Sequence, residues 1–433
     1  MKSLYSSIVG SVVAPIGFHA SGVYCDIKRL GTGKGSNKGM KRDLAVIYSE
    51  SSCVVAGQFT TNQIKAAPVI LDLDRVATRK GRAVVVNSGN ANACTGARGL
   101  KNAHDMATYT ARQLGLTEDD VYVCSTGRIG VQLPMPQVRS GIRQATSILS
   151  RTASSATNAA EAILTSDSHT KEAAVEFTLD GQVCRIGAIA KGAGMIQPGM
   201  TATGKGPRGR ALHATMLAFI TTDVALSPSL LTKALDATTQ QSFNCVTVDG
   251  DMSTNDTVLL LANGLARNET IKSAKSDSFR TFQTALDQVT LRLAKMMARD
   301  GEGVTKVVTL KVSGARNPKE ADSAARAIGN SQLVKTSWCG EDPNWGRIMD
   351  ALGYSKAQLN ADTIDIGYRA IGSKSMKYAL KQGKPTTTSL ESLAKITKAP
   401  EFEIHIDLHI GDGQAILYAS DLTEEYVDFN KGE

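Results

Sequence analysis

The chain of 433 residues is long enough to bury a large core, and its 42% hydrophobic and 21% charged residues are typical of a globular protein. Its net charge of +8 permits anionic partners, but aromatic residues make up only 5% of the chain and no basic stripe alternates with them, which argues against a nucleic-acid partner. No apolar run reaches the roughly 18 residues that span a bilayer, and residues 1–14 make a poor signal peptide, so we expect no membrane association and a cytoplasmic location.

Strands and helices alternate along the first half of the chain. Strand patterns cover 5–18, 44–48, 53–59 and 82–86, with a short polar turn between the second and the third, and a hairpin is predicted at 174–179 and 183–188. Helical patterns cover 100–114, 136–150 and 156–164. Residues 31–42 suggest a phosphate loop, but Gly35 follows Lys34 where that motif requires Ser or Thr, so we expect a basic surface loop.

The second half has the same mixture of elements. A helix is predicted from Ser227-Pro228 to about residue 242, and a long amphipathic helix runs through Phe279 and Met296 to Asp300-Gly301. Further strands are predicted at 245–248, 306–312, 402–410 and 415–418, a helix at 320–329 and a turn at 340–347. Because there is no internal repeat and no long linker, these elements predict an α+β architecture in which layered sheets are covered by helices.

The residue types that bind metals or form disulfides are dispersed. The seven cysteines have no C-x-x-C pair and look like small buried residues in a reducing compartment. The only tight pair of histidines, His405 and His409, would lie on the polar face of the strand at 402–410. We therefore expect no metal site.

The segment 191–223 has the most informative pattern. After Lys191, the run Gly192-Ala193-Gly194 permits close approach, and a Gly-rich stretch leads to Ala214 and Thr215 at the head of an apolar run that is typical of a buried strand. If the backbone before Thr215 were cut, the new α-amino group, with a pKa near ~7.8, would serve as a base for the hydroxyl of the same residue. The simpler alternative is a threonine in a core strand.

Two other segments place polar groups where an element ends. Ser125-Thr126-Gly127 would put a hydroxyl beside a backbone N–H, and these two donors make an oxyanion hole if they face a nucleophile. Glu302 stands between two glycines after the long helix, either as an exposed side chain or as a carboxylate that binds a cation. The segment 87–96 is rich in Asn and Gly and is either a tight turn or a loop that lines a substrate.

The motifs KGAGMIQPGM at 191–200 and ATMLAFITTD at 214–223 resemble the signature of the ornithine acetyltransferase family, the ArgJ-type glutamate N-acetyltransferases. Seven further blocks agree in order along nearly the whole chain, and a chance coincidence of that extent is improbable. They are FTTNQIKAAPV at 59–69, VVVNSGNANACTG at 84–96, STGRIG at 125–130, SFNCVTVDGDMSTNDT at 242–257, RDGEGVTK at 299–306, LVKTSWCGEDPNWGRI at 333–348 and SDLTEEYV at 420–427.

The resemblance implies an αββα sandwich and a precursor that cuts itself at an Ala-Thr bond, here Ala214–Thr215. The products would be an alpha chain of residues 1–214 and a beta chain of residues 215–433, assembled as a heterotetramer with two copies of each. The implied reaction carries the acetyl group of N-acetylornithine to glutamate through an acetyl-threonine, as a step of arginine biosynthesis.

The resemblance also assigns roles to individual residues. Thr215 matches the nucleophile, and Thr126 and Gly127 match the oxyanion pair. Lys191, Glu302 and Asn430 match positions that bind substrate, together with Thr126 and Thr215. The family's chemistry implies no metal and no organic cofactor, because the enzyme itself carries the acetyl group, although acetyl-CoA is an additional donor if the protein is bifunctional.

The sequence departs from the family pattern at two places. The family's methionine directly precedes its Ala-Thr pair, whereas here the basic insertion 201–213 separates Met200 from Ala214 and contains a second Ala-Thr bond, Ala202–Thr203. The insertion could permit, shift or block the cut. At the other end, the family has a substrate-binding Ser or Thr five positions after the asparagine, and this sequence stops at Glu433.

Three other functions remain open at this point. A related self-processing aminopeptidase or amidase would use the same threonine with water as the acceptor. A binding protein whose cut is blocked by the insertion would stay as one chain without acetyl transfer. A phosphate- or nucleic-acid-binding protein built on the Gly- and Lys-rich loops would bind with a strong salt dependence.

Overall fold

A computed structural model describes residues 5–31, 41–205 and 216–431. Most of the basic loop at 31–42, residues 206–213 of the insertion and the Ala214–Thr215 bond lie outside the described residues. The chain divides into two compact units, the first made of residues 1–244 and 251–297 and the second of residues 245–250 and 298–433. The boundary between the predicted alpha and beta chains falls inside the first unit.

The strands and helices of the described residues are named in chain order. The strands are β1 (Tyr5–Ser7), β2 (Phe18–Val23), β3 (Leu44–Phe59), β4 (Lys80–Asn90), β5 (Val121–Arg128), β6 (Lys171–Leu179), β7 (Gln182–Lys191), β8 (Leu217–Thr222), β9 (Val246–Thr247), β10 (Thr257–Ala262), β11 (Val307–Ala315), β12 (Asp365–Ala370), β13 (Lys377–Lys381), β14 (Lys384–Pro385), β15 (Glu401–Asp407) and β16 (Gly413–Ser420). The α-helices are α1 (Ile27–Gly31), α2 (Ala67–Val76), α3 (Gly96–Leu114), α4 (Met135–Ser147), α5 (Ala153–Ala162), α6 (Pro228–Gln241), α7 (Asp277–Arg299), α8 (Pro318–Gly329), α9 (Gln332–Cys339), α10 (Trp345–Gly353), α11 (Leu390–Thr397) and α12 (Glu424–Phe429).

The first unit is built on a nine-stranded sheet in the order β1-β6-β7-β8-β10-β3-β4-β5, with β2 paired to β3. Both of its faces are buried. Alternate residues of β4 and β5, such as Val84 and Val85, belong to two different apolar clusters, one of which includes residues of α5 and the other residues of α3 and α4. This two-sided burial explains why these strands read as continuous apolar runs in the sequence.

Strand β8 lies in the middle of this sheet, antiparallel to β7 and parallel to β10. All six of its residues are buried. The sequence predicts this strand from the apolar run after Thr215, and the structure confirms it. One neighbouring strand on each side holds the start of β8 in a fixed register, with Leu217 opposite both Lys191 and Thr257.

The second unit has a seven-stranded sheet in the order β14-β13-β12-β15-β11-β16-β9. Its core joins one face of this sheet to helices α8, α9, α10 and α11. On β15, Phe402, Ile404 and Ile406 are buried while the residues between them are only partly buried. Both units thus combine helices with sheets, and the α+β class predicted from the sequence is confirmed.

Several element predictions are wrong in detail. The segment 5–18 contains only the short β1, followed by a 3₁₀ turn and the start of β2. The segments 44–48 and 53–59 form one strand, β3, because the polar residues between them stay extended and only shift the register against β4. The predicted turn at 340–347 ends in a helix, since the Asn344 side chain accepts the Arg347 N–H and starts α10.

The predicted strands at 245–248 and 402–410 are also shorter than expected. A 3₁₀ turn precedes the two-residue β9, and β15 ends at Asp407, before His409. The two histidines therefore have different surroundings. His405 contacts Glu403 at 2.8 Å and His409 contacts Asp365 at 3.1 Å.

Candidate active site

Lys191 is the last residue of β7, and its side chain is 1% exposed. Its ammonium donates a hydrogen bond to the hydroxyl of Thr165 at 2.8 Å and lies 3.6 Å from an oxygen of Asp167. Leu217, two residues after Thr215 in the sequence, is its partner on β8. The lysine predicted to bind substrate is thus buried at the strand end next to the start of β8.

Asp167 collects donors from several parts of the first unit. Its carboxylate accepts hydrogen bonds from the Lys171 ammonium at 2.7 Å, the Gly192 N–H at 2.6 Å and the Thr165 N–H at 3.0 Å. Burial would raise the pKa of Asp167, but the charges of Lys191 and Lys171 and these hydrogen bonds hold it well below its usual value. The group is therefore ionised and belongs to a buried cluster of charges.

A third lysine belongs to the same region. Lys28 is 7% exposed, and its ammonium donates to the carbonyl of Arg42 at 2.6 Å. Burial lowers the pKa of Lys28 to about 8, and Asp43, Lys41, Asp167 and Lys191 contribute smaller electrostatic effects. Cationic groups thus outnumber ionised carboxylates close to Lys191, which favours an anionic ligand.

Asp256 lies on the other side of the start of β8, immediately before β10. One of its carboxyl oxygens accepts the Met216 N–H at 2.7 Å, and the other has no hydrogen-bond partner among the residues that the structure describes. Burial raises the pKa of Asp256 well above its usual value, against the opposing effects of the Met216 N–H and the Lys191 charge. The carboxyl group of Asp256 therefore fixes the backbone of the residue that follows Thr215.

Thr126 and Gly127 lie at the end of β5, as the sequence predicts. The Thr126 side chain is fully buried, and its hydroxyl has no hydrogen-bond partner within the described part of the chain. Gly127 has a φ of 128°, and a Cβ built on it would lie 2.4 Å from the carbonyl carbon of Gly89. The hydroxyl is free to bond a ligand, and only glycine fits next to it.

Asn255 connects this strand end to Asp256. Its side-chain amide donates to the carbonyls of Ala91 and Ser125, both at 2.7 Å. Asn255, which directly precedes Asp256, therefore holds the segment 87–96 next to Ser125, the residue before Thr126. The Asn- and Gly-rich segment, for which the sequence allows a tight turn or a substrate loop, thus also has a structural role, because its Ala91 carbonyl accepts a hydrogen bond from Asn255.

Glu302 and Asn430 lie together in the second unit. The Asn430 amide donates to the Glu302 carboxylate at 3.2 Å and to the carbonyl of Tyr426 at 2.8 Å. The loop that carries Glu302 is attached to the segment before α12, because the Thr423 hydroxyl donates to the carbonyl of Gly303 at 2.7 Å. The structure thus brings together two residues that are far apart in the sequence.

The sequence prediction omitted four residues of this region: Thr165, Asp167, Asn255 and Asp256. Asn255 and Asp256 belong to a motif, SFNCVTVDGDMSTNDT, that carried the family resemblance, so a polar pair directly before a buried strand was a usable signal. Thr165 and Asp167 gave no such signal, because their contact with Lys191 depends on the pairing of β6 with β7. Ala214 and Thr215 lie outside the described residues.

Within residues 5–31, 41–205 and 216–431, no group of three or more His, Cys, Asp or Glu residues is arranged to hold a metal ion. None of the helices described is both long and apolar enough to cross a membrane.

Around the start of β8, this α+β protein places a buried ammonium and a buried carboxyl group, and Asn255 joins this region to the strand end that carries the buried Thr126 hydroxyl. The chain belongs to the ArgJ family, whose model matches residues 20–432. This membership confirms the resemblance that the sequence motifs indicate.

The chain is also similar to individual proteins of known sequence or structure. The chain is 44% identical over 423 residues to the arginine biosynthesis bifunctional protein ArgJ of Symbiobacterium thermophilum, and the match covers 98% of both chains. Among solved structures, it is similar to an ArgJ chain from Bacillus halodurans, with 45% identity, a TM-score of 0.47 and coverage of 51% of this chain and 100% of that one. It is also 34% identical to ornithine acetyltransferase from Mycobacterium tuberculosis, solved with ornithine, with a TM-score of 0.42 and coverage of 46% and 100%.

Proposed function

We propose that this protein is an acetyltransferase of arginine biosynthesis that moves the acetyl group of N-acetylornithine to glutamate. The observation that carries the proposal is the set of groups at the start of β8 and at the end of β5, which Asn255 links. Lys191 lies opposite Leu217, Asp256 holds the Met216 N–H, and Thr126 offers a buried hydroxyl without a partner in the described chain. The family membership supports the same reaction.

In this mechanism the protein first cuts itself. The Thr215 hydroxyl attacks the carbonyl carbon of Ala214, the acyl group moves from nitrogen to oxygen, and water hydrolyses the resulting ester. The products are a carboxylate on Ala214 and a free α-amino group on Thr215. At pH ~7.5 roughly a third of such amino groups are unprotonated, so Thr215 would carry its own general base.

The transfer then proceeds in two half-reactions. The Thr215 hydroxyl attacks the acetyl carbonyl of N-acetylornithine, its proton passes through the α-amino group to the departing amine, and ornithine leaves. The amine of glutamate attacks the acetyl-threonine, and N-acetylglutamate leaves with the threonine hydroxyl restored. Each half-reaction develops a negative oxygen, which the Thr126 hydroxyl and the Gly127 N–H would stabilise.

The substrates share an α-carboxylate, and Lys191 is the proposed group that binds it. In the second unit, Glu302 and Asn430 match substrate-binding positions of the family, and the carboxylate of Glu302 is suited to an ammonium group. The two proposed chains would remain associated after the cut, since β7 precedes it, β8 follows it and the two strands are paired. A heterotetramer of two alpha and two beta chains is the assembly we expect.

The first test is an intact-mass measurement of the purified protein with N-terminal sequencing of its fragments. We expect two fragments, residues 1–214 and a slightly larger one that begins TMLAF, and a Thr215→Ala variant that stays whole. A fragment that begins at Thr203 would move the nucleophile to the second Ala-Thr bond. A whole wild-type chain would contradict the mechanism.

The second test follows the acetyl group. Incubation with N-acetylornithine alone should add one acetyl group to the fragment that begins at Thr215, and addition of glutamate should remove it as N-acetylglutamate. Release of acetate without glutamate would identify an amidase instead. The same assay with acetyl-CoA decides whether that compound is a second donor.

A further inference from the structure

We propose that Asp167 is a positioning residue that holds the Lys191 ammonium in place for the α-carboxylate of both substrates. This inference rests on the proposed function and goes beyond it, because the proposed mechanism assigns Asp167 no role. The carboxylate does not need to contact substrate. It acts through Lys191, Thr165 and Gly192, which it joins.

The contacts of Asp167 connect two distant parts of the chain. One carboxylate oxygen accepts from the Lys171 ammonium and the Gly192 N–H, and the other accepts from the Thr165 N–H and faces Lys191. Thr165 in turn accepts a hydrogen bond from Lys191. Asp167 thus fixes Thr165, which binds the Lys191 ammonium, and the backbone of Gly192, which directly follows Lys191.

The hydrogen bonds of Lys191 leave capacity for a ligand. An ammonium group has three N–H donors, and in the described chain Lys191 makes one hydrogen bond of 2.8 Å and one longer ionic contact of 3.6 Å. A fully desolvated cation with so few partners is costly unless a further acceptor arrives. A substrate carboxylate would supply that acceptor.

The charge of Asp167 is as important as its shape. Two ammonium groups, those of Lys171 and Lys191, approach the same buried carboxylate within 4 Å. Without it, like charges would repel each other in a medium of low polarity, and the lysine side chains would shift or lose their protons. An uncharged residue of the same shape would therefore not hold Lys191 in position.

The test compares a ligand with its uncharged analogue. Isothermal titration calorimetry would measure the Kd of ornithine and of its α-carboxamide with the mature wild-type protein and with Asp167→Asn. We expect the wild type to bind the carboxylate at least 10-fold more tightly than the carboxamide. In Asp167→Asn this ratio should fall to about 3-fold or less.

Matched variants separate position from charge and from folding. Asp72→Asn makes the same substitution at another buried carboxyl group, one that accepts the Val123 N–H and has its pKa raised to about 8 by burial, so it controls for the substitution without loss of a negative charge and should leave the ratio unchanged. Asp167→Glu keeps the charge but lengthens the side chain, and it should also lower the ratio. It provides a second reading if Asp167→Asn does not fold.

Steady-state kinetics provide a further measurement, because a purely structural role of Asp167 would not raise KM selectively. In Asp167→Asn, the KM for N-acetylornithine and for glutamate should rise about 10-fold or more, with a smaller change in kcat. The proposal would be overturned if both Asp167 variants kept the wild-type ratio of the two Kd values or bound ornithine more tightly than the wild type does. It would also be overturned if the wild type did not prefer ornithine to its α-carboxamide. Because binding needs no turnover, an inactive wild type that still shows the expected ratios would refute the proposed function alone.

Discussion

At the scale of single residues, the site is marked by polar atoms that are buried and lack a protein partner. Such atoms are costly, and most buried polar groups in proteins are satisfied. The Thr126 hydroxyl and one oxygen of Asp256 are two of them in the described chain. Asp256 binds the backbone before β8, and Asn255 links it to the carbonyl of Ser125, the residue before Thr126. For Thr126, the missing partner agrees with the proposed role of its hydroxyl as a donor to the reacting oxygen.

The Thr126 hydroxyl gives the first prediction. Thr126→Val should lower kcat about 10²- to 10³-fold, or ~3–4 kcal/mol, because one donor to the developing negative oxygen is lost. Its KM should change little, and Thr126→Ser should recover most of the activity. Steady-state kinetics with N-acetylornithine and glutamate provides the measurement.

A control for this prediction exists in α6. Thr239 is also fully buried and also has a hydroxyl without a partner among the described residues. Thr239→Val should leave kcat unchanged. Equal losses in the two variants would show that the effect at Thr126 is one of packing.

The second prediction concerns Asp72, where burial raises the pKa of the carboxyl group to about 8. In an unfolded chain the same group has a pKa near ~3.9. Between these values the native state keeps a proton that the unfolded state loses, so the free energy of unfolding falls as pH rises, by up to about 1.4 kcal/mol per pH unit. Asp72→Asn lacks this proton and should gain stability relative to the wild type from pH 5 to pH 8.

Urea denaturation at several pH values measures this difference. The exposed Asp350 on α10 offers a control, since Asp350→Asn should leave the pH dependence of the wild type unaltered. A constant difference between Asp72→Asn and the wild type across this range would contradict the assignment of a protonated Asp72.

At the scale of elements, the sequence predicts helices and strands well where a single pattern of apolar residues continues without interruption. The helix α7 was evident from apolar residues three and four apart, and β8 from an unbroken apolar run. β3 was not evident as one strand, since its polar middle reads as a turn and only its neighbours in the sheet keep it extended. Likewise, Lys191 stood out beside its glycines, whereas Asp167 has a role only after folding brings the segment 165–171 to the end of β7.

The third prediction concerns the close approach of β4 and β5. Gly127→Ala would place a Cβ 2.4 Å from the carbonyl carbon of Gly89, at a φ of 128° that side chains disfavour. The strands would have to separate, so we expect a loss of activity greater than 10-fold and a lower thermal midpoint.

Gly130 is the matched control for this change. Its φ of 82° is also positive, but a Cβ there meets no atom within 4 Å. Gly130→Ala should therefore cost only about 1 kcal/mol from backbone strain. Activity and differential scanning calorimetry of the two variants would be compared, and equal effects would exclude the steric explanation.

At the scale of the whole molecule, the proposed cut does not coincide with a boundary between the two compact units. Residues 214 and 215 both belong to the first unit, whose sheet contains strands from each side of the cut. β8 pairs with β7 from the proposed alpha chain and with β10 from the proposed beta chain, and β10 pairs in turn with β3. The alpha and beta chains are therefore expected to share one sheet.

The fourth prediction follows from this shared sheet. The two fragments should elute together in gel filtration under native conditions and should separate only in denaturant. Elution as two separate species at neutral pH without denaturant would contradict a shared sheet in the mature protein.

The central position of β8 also has a consequence for refolding. The uncut precursor can rebuild its sheet as a single chain, at a rate independent of protein concentration. Once the bond is cut, the same strands have to meet as two separate molecules, so recovery after denaturation becomes a second-order process that slows on dilution. A protein matured in this way would be easy to inactivate irreversibly in dilute solution even though every contact in its folded state is unchanged.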